Sequence, residues 1–343
     1  MDATRTLPRK TGRLQAFRLS ESGIVIWILA VGILFSVMSD RFLDVKNILN
    51  IITQASIIGI LAVSMTAVII SGNGGIDLSV GSIMGISSVT MAMMIIPESY
   101  YRDTTAMLTI SSDIFTLVKA LGLALIIGSF CGFINGVLIA LAGLPPFIAT
   151  LGMMTAARGV AAYISAGIPT YGLPEAIIFI GQGRVLGLPL PILIMLVLGV
   201  VGAFVLTRTT FGMKIFAIGG NKETARFSGI NVTKTILAVY TINGLFAAIA
   251  SITLSGRSNQ AHPDAGLGYE LYAIGAVVIG GTSLMGGVGG IVGSILGAIF
   301  MAEVQNGINI LDIPVAYMKP ILGFLIIAAV ILDQWQKSKR KVG

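Results

Sequence analysis

The sequence predicts an all-α, polytopic membrane fold of about ten transmembrane helices, and three observations carry that expectation. Hydrophobic residues make up 55% of the 343 and charged residues only 11%. Soluble domains carry roughly 25% charged residues, so a globular form of this chain would expose large apolar patches. Glycine occurs 43 times in 343 residues, well above an average near about 7%, and small residues let helices approach closely in lipid. Apolar runs recur along the whole chain, many close to the roughly 20 residues that a helix needs to cross the hydrocarbon layer.

Taken in order, the expected spans are residues 24–38, 48–70, 79–96, 117–141, 147–165, 188–207, 235–254, 271–281, 288–302 and 318–332. A basic N-terminus (1–23) and a basic tail (333–343) flank this single transmembrane domain (24–332). The first run has basic residues before it, as a signal peptide does, but Asp40, Arg41 and Phe42 follow it in place of small residues, so it is expected to stay as a span. The eighth and ninth runs are short and glycine-rich. The loops at 100–116 and 167–189 are expected outside, and 144–146 as a tight inner turn.

Charge supports the count. The chain carries a net +7, and 14 of its 22 Lys and Arg fall in three clusters. These are Arg5, Arg9, Lys10, Arg13 and Arg18, then Arg208, Lys214, Lys222, Arg226 and Lys234, then Lys337, Lys339, Arg340 and Lys341. With the N-terminus in the cytoplasm, six crossings bring the second cluster inside and four more bring the third. Positive charge favours the cytoplasmic side. Because these clusters flank apolar runs, they argue against a nucleic-acid surface.

Other function classes are excluded on the same basis. Cys131 is the single cysteine, so no internal disulfide forms, and His262 is the single histidine, which alone builds no metal site. No G-x-x-x-x-G-K-[ST] loop is present, so ATP is not expected to be hydrolysed on this chain.

Three segments remain as candidates for function. The first, 71–85, reads SGNGGIDLSVGSIMG and places Asn73, Asp77 and Ser79 among glycines between two apolar runs. An intramembrane carboxylate usually faces a bundle interior or a water-filled cavity, and irregular backbone at that depth lines a cavity or is packed in protein. Asp77 is thus either the anchor of a broken helix beside a translocation path or the cap of a helix beginning at Leu78. The second, 219–230, reads GGNKETARFSGI. Asn221 can cap a short helix by accepting a backbone N–H, and Gly229 can end it in the left-handed region. About two turns of helix are too short to stand alone, which predicts docking onto another protein through Gly220, Asn221, Lys222, Glu223, Ala225, Arg226, Phe227 and Gly229. The alternative is a solvated loop held by its caps. The third, 265–297, has 11 glycines in 33 residues, which predicts close packing of a kinked helix pair and, without a βαβ unit, no dinucleotide loop.

Further polar residues fall within or near the spans: Asn135, Arg158, Asn243, Glu303, Gln305, Asn306 and Asn309. Arg158 has Asp77 or Glu303 as its expected partner. Asn135, Arg158 and Asn306 join Asn73, Asp77 and Ser79 as path candidates, although interhelical hydrogen bonding is the simpler role for the asparagines. Asn135-Gly136 and Leu151-Gly152 recur as Asn306-Gly307 and Leu322-Gly323 at an offset of 171, which in a ten-span chain is an inverted repeat. A competing match of 74–85 with 286–297 gives another register.

At these segments the sequence resembles the permease subunits of carbohydrate ABC importers of the ribose, xylose and galactose type, with branched-chain amino acid permeases as more distant relatives. The matching stretches are GGIDLSVGS (74–82), TLGMMTAARG (150–159), GGNKETARFSGI (219–230) and YEL…AVVIGGTSLMGG within 268–287. The likeness runs from about residue 24 to 332; the stretch 97–116 departs from it, being longer and more polar.

The resemblance implies an inner-membrane, multi-pass transport subunit that is not itself an enzyme. It implies an ABC ATPase partner holding ATP and Mg, a second identical or related permease subunit, and a periplasmic or extracellular sugar-binding protein. No cofactor is expected on this chain. The 219–230 segment would meet the ATPase, and the binding protein would dock over 167–189 and 256–267. Cargo would be a monosaccharide; an amino acid or nucleoside, or an ion-coupled secondary mechanism, are the alternatives.

Overall fold

The computed structural model describes residues 11–72, 74–96 and 113–314, together with parts of 317–331. Asn73, most of the 100–116 loop, the basic residues before position 11, most of the 318–332 span and the cluster at 337–341 lie outside the described residues.

The chain is a bundle of helices: α1 (Thr11–Met38), α2 (Val45–Ile70), α3 (Val80–Ile95), α4 (Ile114–Ala140), α5 (Pro146–Ile164), α6 (Glu175–Gln182), α7 (Leu190–Arg208), α8 (Thr210–Gly220), α9 (Lys222–Phe227), α10 (Val232–Ser258), α11 (Tyr269–Ile279) and α12 (Ile291–Ile310). The only strands among the described residues are two-residue pairs. β1 (Thr170–Tyr171) runs antiparallel to β4 (Gln260–Ala261), and β2 (Arg184–Val185) forms a hairpin with β3 (Leu188–Pro189).

Among the described residues six helices, α2, α4, α5, α7, α10 and α12, are long and apolar enough to cross a membrane. Residues 23–38 of α1, with α3 and α11, are shorter apolar helices. Helices therefore lie on the first nine expected spans. Most boundaries shift by one to four residues; the largest shifts are the start of α1, at Thr11 and not 24, and the end of α12. The third begins at Val80 and not 79, and the ninth runs to Ile310 and not 302. The extra turns of α12 carry Glu303, Gln305 and Asn306, which are buried, as their place among the polar residues at depth anticipates.

Glycine sets the spacing of the helices, as its abundance predicts. The most extensive helix contact in the chain joins α4 to α10. Gly128, Gly132 and Gly136 recur every four residues along one face of α4. A methyl group at Gly132 would strike the Tyr240 carbonyl of α10, and one at Gly136 would come within 2.8 Å of the Leu237 Cα. At one end of the bundle a second knot joins three loops backbone to backbone. The Gly287 N–H donates to the Ile70 carbonyl at 2.9 Å, and a methyl group at Gly219 would overlap that carbonyl. Gly72, at φ +74°, is packed against Gly219 and Gly286.

Replacing Gly132 with leucine is expected to separate α4 from α10 and to lower stability by the roughly 1–3 kcal/mol typical of overpacking. Gly122 on the same helix, with nothing within 4 Å of its added carbon, should accept leucine with no change. Thermal unfolding of the two variants in detergent checks this.

Candidate functional site

The segment between α2 and α3 is irregular backbone, and Asp77 within it is 0% exposed. The Ser79 N–H donates to Asp77 Oδ1 at 2.8 Å and the Ser79 hydroxyl donates to the same oxygen at 2.6 Å. The Asn243 side-chain amide, from the middle of α10, donates to Asp77 Oδ2 at 2.8 Å. The Asn135 amide of α4 donates to Ser79 Oγ at 2.9 Å, and the Ser64 hydroxyl of α2 donates to Asn243 Oδ1 at 2.7 Å. Every donor in this chain points toward the Asp77 carboxyl group, which accepts at both of its oxygens. Asp77 forms no ion pair among the described residues.

The structure bears on the cap reading of Asp77. It does not cap a helix starting at Leu78: α3 starts at Val80, and Asp77 instead closes a turn on Ser79 while gathering donors from a distant helix. Burying a carboxyl group is expensive unless it is hydrogen-bonded, and here three donors offset part of that cost. Asp77, Ser79 and Asn135 therefore belong to one buried cluster. Ser64 and Asn243 complete it. Asn243 had a visible signal, an amide inside a long apolar run; Ser64 had none.

The other path candidates lie elsewhere. Arg158 does not pair with Asp77 or Glu303. Its Nη1 donates to the Pro263 and Ala265 carbonyls at 2.6 and 3.2 Å and stands 3.9 Å from Asp264 Oδ1. It thus holds the loop between β4 and α11 by its backbone, satisfying carbonyls that no regular structure covers. Asn306 and Asn47 exchange two amide hydrogen bonds of 2.9 Å, and Gln54 donates to Gln305 at 2.6 Å. These pairs join α2 to α12, as interhelical hydrogen bonding predicts. Glu303 faces α1, where a methyl group at Gly32 would lie 2.9 Å from its Oε1.

The 219–230 segment forms the short helix that its caps predict. The Asn221 side chain accepts the Thr224 N–H at 2.8 Å, and Gly229 takes φ +80°. The helix is shorter than two full turns, six residues from Lys222 to Phe227. Ala225 is turned inward and buried in the core, so it anchors the helix and cannot present a surface. Lys222, Glu223 and Arg226 are exposed, and Phe227 is 87% exposed. A cavity of about 470 Å³ lies beside the helix, lined among others by Lys222, Arg226, Asn231 and Tyr240.

A family profile described as "Branched-chain amino acid transport system / permease component" matches residues 47–330. The chain belongs to that family: it is a multi-pass membrane transport component and not an enzyme. It is 37% identical over 328 residues to the ribose import permease protein of Haemophilus influenzae, covering 94% of this chain and 96% of that one. It is 39% identical over 318 residues to the ribose import permease protein of Bacillus subtilis, covering 92% and 93%. It is 34% identical over 310 residues to the D-allose transport system permease protein of Escherichia coli, covering 90% of each. No solved structure matches the chain significantly.

Replacing Asn243 with leucine leaves Asp77 Oδ2 buried without its donor, which is expected to cost about 1–3 kcal/mol. Adding Asp77→Leu to that variant should cost less than the sum of the two single changes, because the pair is then removed together. A double-mutant cycle on detergent melting temperatures measures the coupling.

Proposed function

We propose that the chain is the permease subunit of an ATP-binding cassette importer that carries a monosaccharide inward across the cell inner membrane by alternating access. One observation carries the reading: α9 is a helix of six residues, capped at its start and pinned by a buried Ala225, that holds Phe227 and three charged side chains out to solvent. So short a helix, carrying so exposed an aromatic, is well made for a partner protein. That partner is a separate ATPase, which holds ATP and Mg; this chain carries no cofactor.

Motion has a physical route from α9 inward. Gly219 and Gly220 close α8 just ahead of α9, Gly219 packs on Gly72, and Gly72 opens the segment that ends at Asp77 and Ser79. ATP-driven movement of α9 would thus reach the buried carboxylate through backbone contact. Nucleotide can shift the equilibrium only by its differential affinity for the two states.

A second permease subunit, identical or related, is supported by α5. This is the least buried of the six long helices, yet Gly152, Thr155 and Gly159 lie on its exposed face. The similarly exposed α7 is the most apolar of the six and shows Leu196, Val197, Val200 and Phe204, as lipid requires. The sugar-binding protein docks at the end opposite α9. Both termini lie in the cytoplasm in a ten-span topology, with the parity of the basic clusters as support, and the recurrence at an offset of 171 supports an inverted repeat.

Monosaccharide cargo is supported by the ribose and D-allose names of the relatives. Amino acid or nucleoside cargo would use the same machine. An ion-coupled carrier would want acidic residues gathered at one depth, whereas Asp77 joins α10 and Glu303 faces α1.

The double change Arg226→Ala with Phe227→Ala should abolish uptake while membrane insertion stays intact, and co-purification of the ATPase should be lost with it. Normal uptake together with normal co-purification in that variant would defeat the proposal.

A further inference from the structure

The end of the bundle opposite α9 carries a second recess. α10 starts beside α9 and runs 27 residues, about 40 Å at 1.5 Å per residue, so Arg257 in its last turn marks the far end. There a cavity of about 230 Å³ is lined by Lys46, Asn50, Thr53, Gln182, Arg184 and Arg257, with few other residues. The three cations come from three separate elements: the first turn of α2, the β2–β3 hairpin and the end of α10.

The recess is built rather than incidental. Arg257 Nη2 donates to Asn50 Oδ1 at 3.0 Å, which orients the guanidinium and leaves donors to spare, while the Gln182 amide donates to the Arg257 backbone carbonyl at 3.0 Å. Among the described residues the one ion pair is Arg158 with Asp264, so none of the three cations is matched by a carboxylate. Three like charges around one small cavity repel each other unless an anion joins them. Guanidinium, ammonium, hydroxyl and amide groups together form a donor set suited to phosphate oxygens.

What flanks the recess identifies the source of the phosphate. Pro189, on its rim, leads directly into α7, whose exposed face is aliphatic. Leu186, at the tip of the β2–β3 hairpin, is 97% exposed at φ +53°, and Val45, Ile48 and Leu188 are exposed nearby in the same elements. An apolar wall below and apolar side chains around a cationic pocket match a lipid, with its acyl chains along α7 and its headgroup in the recess. A carboxylate on a docking protein would need the charges but not the apolar surround.

We propose that this recess binds the phosphate headgroup of an anionic phospholipid. The site depends on the membrane setting of the chain, not on the cargo or the ATPase, and it gives to lipid Gln182, Arg184, Pro189 and Arg257, which lie within the 167–189 and 256–267 segments expected to meet the sugar-binding protein.

The test uses the purified full chain, delipidated in detergent, with phosphatidylglycerol, phosphatidylcholine or inorganic phosphate added separately. Phosphatidylglycerol should raise the melting temperature and stay bound in native mass spectra, while the other two have little effect. The exposed pair Lys46→Gln with Arg184→Gln should weaken phosphatidylglycerol binding about tenfold or more, given the attraction of each basic side chain to anionic lipid, and leave phosphatidylcholine unchanged. Equal binding of the two lipids by the wild type, undiminished phosphatidylglycerol binding by the variant, or an equal response to inorganic phosphate would each overturn the proposal. So would a variant that keeps its lipid but no longer responds to the sugar-binding protein, which would give the recess to a protein carboxylate.

Discussion

Backbone that leaves helical geometry within a bundle of apolar helices must find its hydrogen bonds within the protein, and the segment between α2 and α3 is held by that constraint. Between α2 and α3 the described residues of 71–79 run irregularly, and Asp77 among them is fully buried. Three helices close over it. Ser64 comes from α2, Asn135 from α4 and Asn243 from α10, and each is positioned by a helix whose packing is otherwise apolar. The glycine seam between α4 and α10 belongs to the same design: only helices in backbone contact bring Asn135 and Asn243 within reach of one turn.

Much of this was legible in the sequence. Apolar runs located the helices because lipid-facing and core positions alike exclude charge, so the signal is continuous over a span. The short helix α9 was legible from Asn221 and Gly229 because caps act within three residues of themselves. Asp77 stood out as an acid among glycines, but its role did not. Its partner Asn243 lies 166 positions along the chain, and nothing in local sequence selects that amide over others.

The misreadings have the same origin. Arg158 was matched to an acid because charge pairing is what a sequence displays, whereas its partners are backbone carbonyls, which every residue carries. Ala225 was counted with the exposed face of α9, but a helix of six residues needs one side pinned to the core, and alanine is small enough to be that side. The ninth span was expected to end at 302, although Gln305 and Asn306 were placed at depth; α12 continues through them, and Asn47 and Gln54 on α2 supply amides for Asn306 and Gln305.

The two ends of the bundle are therefore held by different chemistry. Near α9, Gly72, Gly219 and Gly286 meet with no side chains between them, so displacement of one loop has no rotamer to absorb it. At the other end, α2 and α12 are joined by amide pairs, and Arg158 reaches across to loop carbonyls. Such side-chain hydrogen bonds can be exchanged for water at modest net cost, whereas glycine contacts cannot be lengthened without opening a void. The stiff end is the one that bears α9 and leads to Asp77, and the exchangeable end is the one that bears the charged recess. Displacement applied at the glycine contacts would be passed on through the backbone, and the amide-paired end could take it up by exchanging its hydrogen bonds.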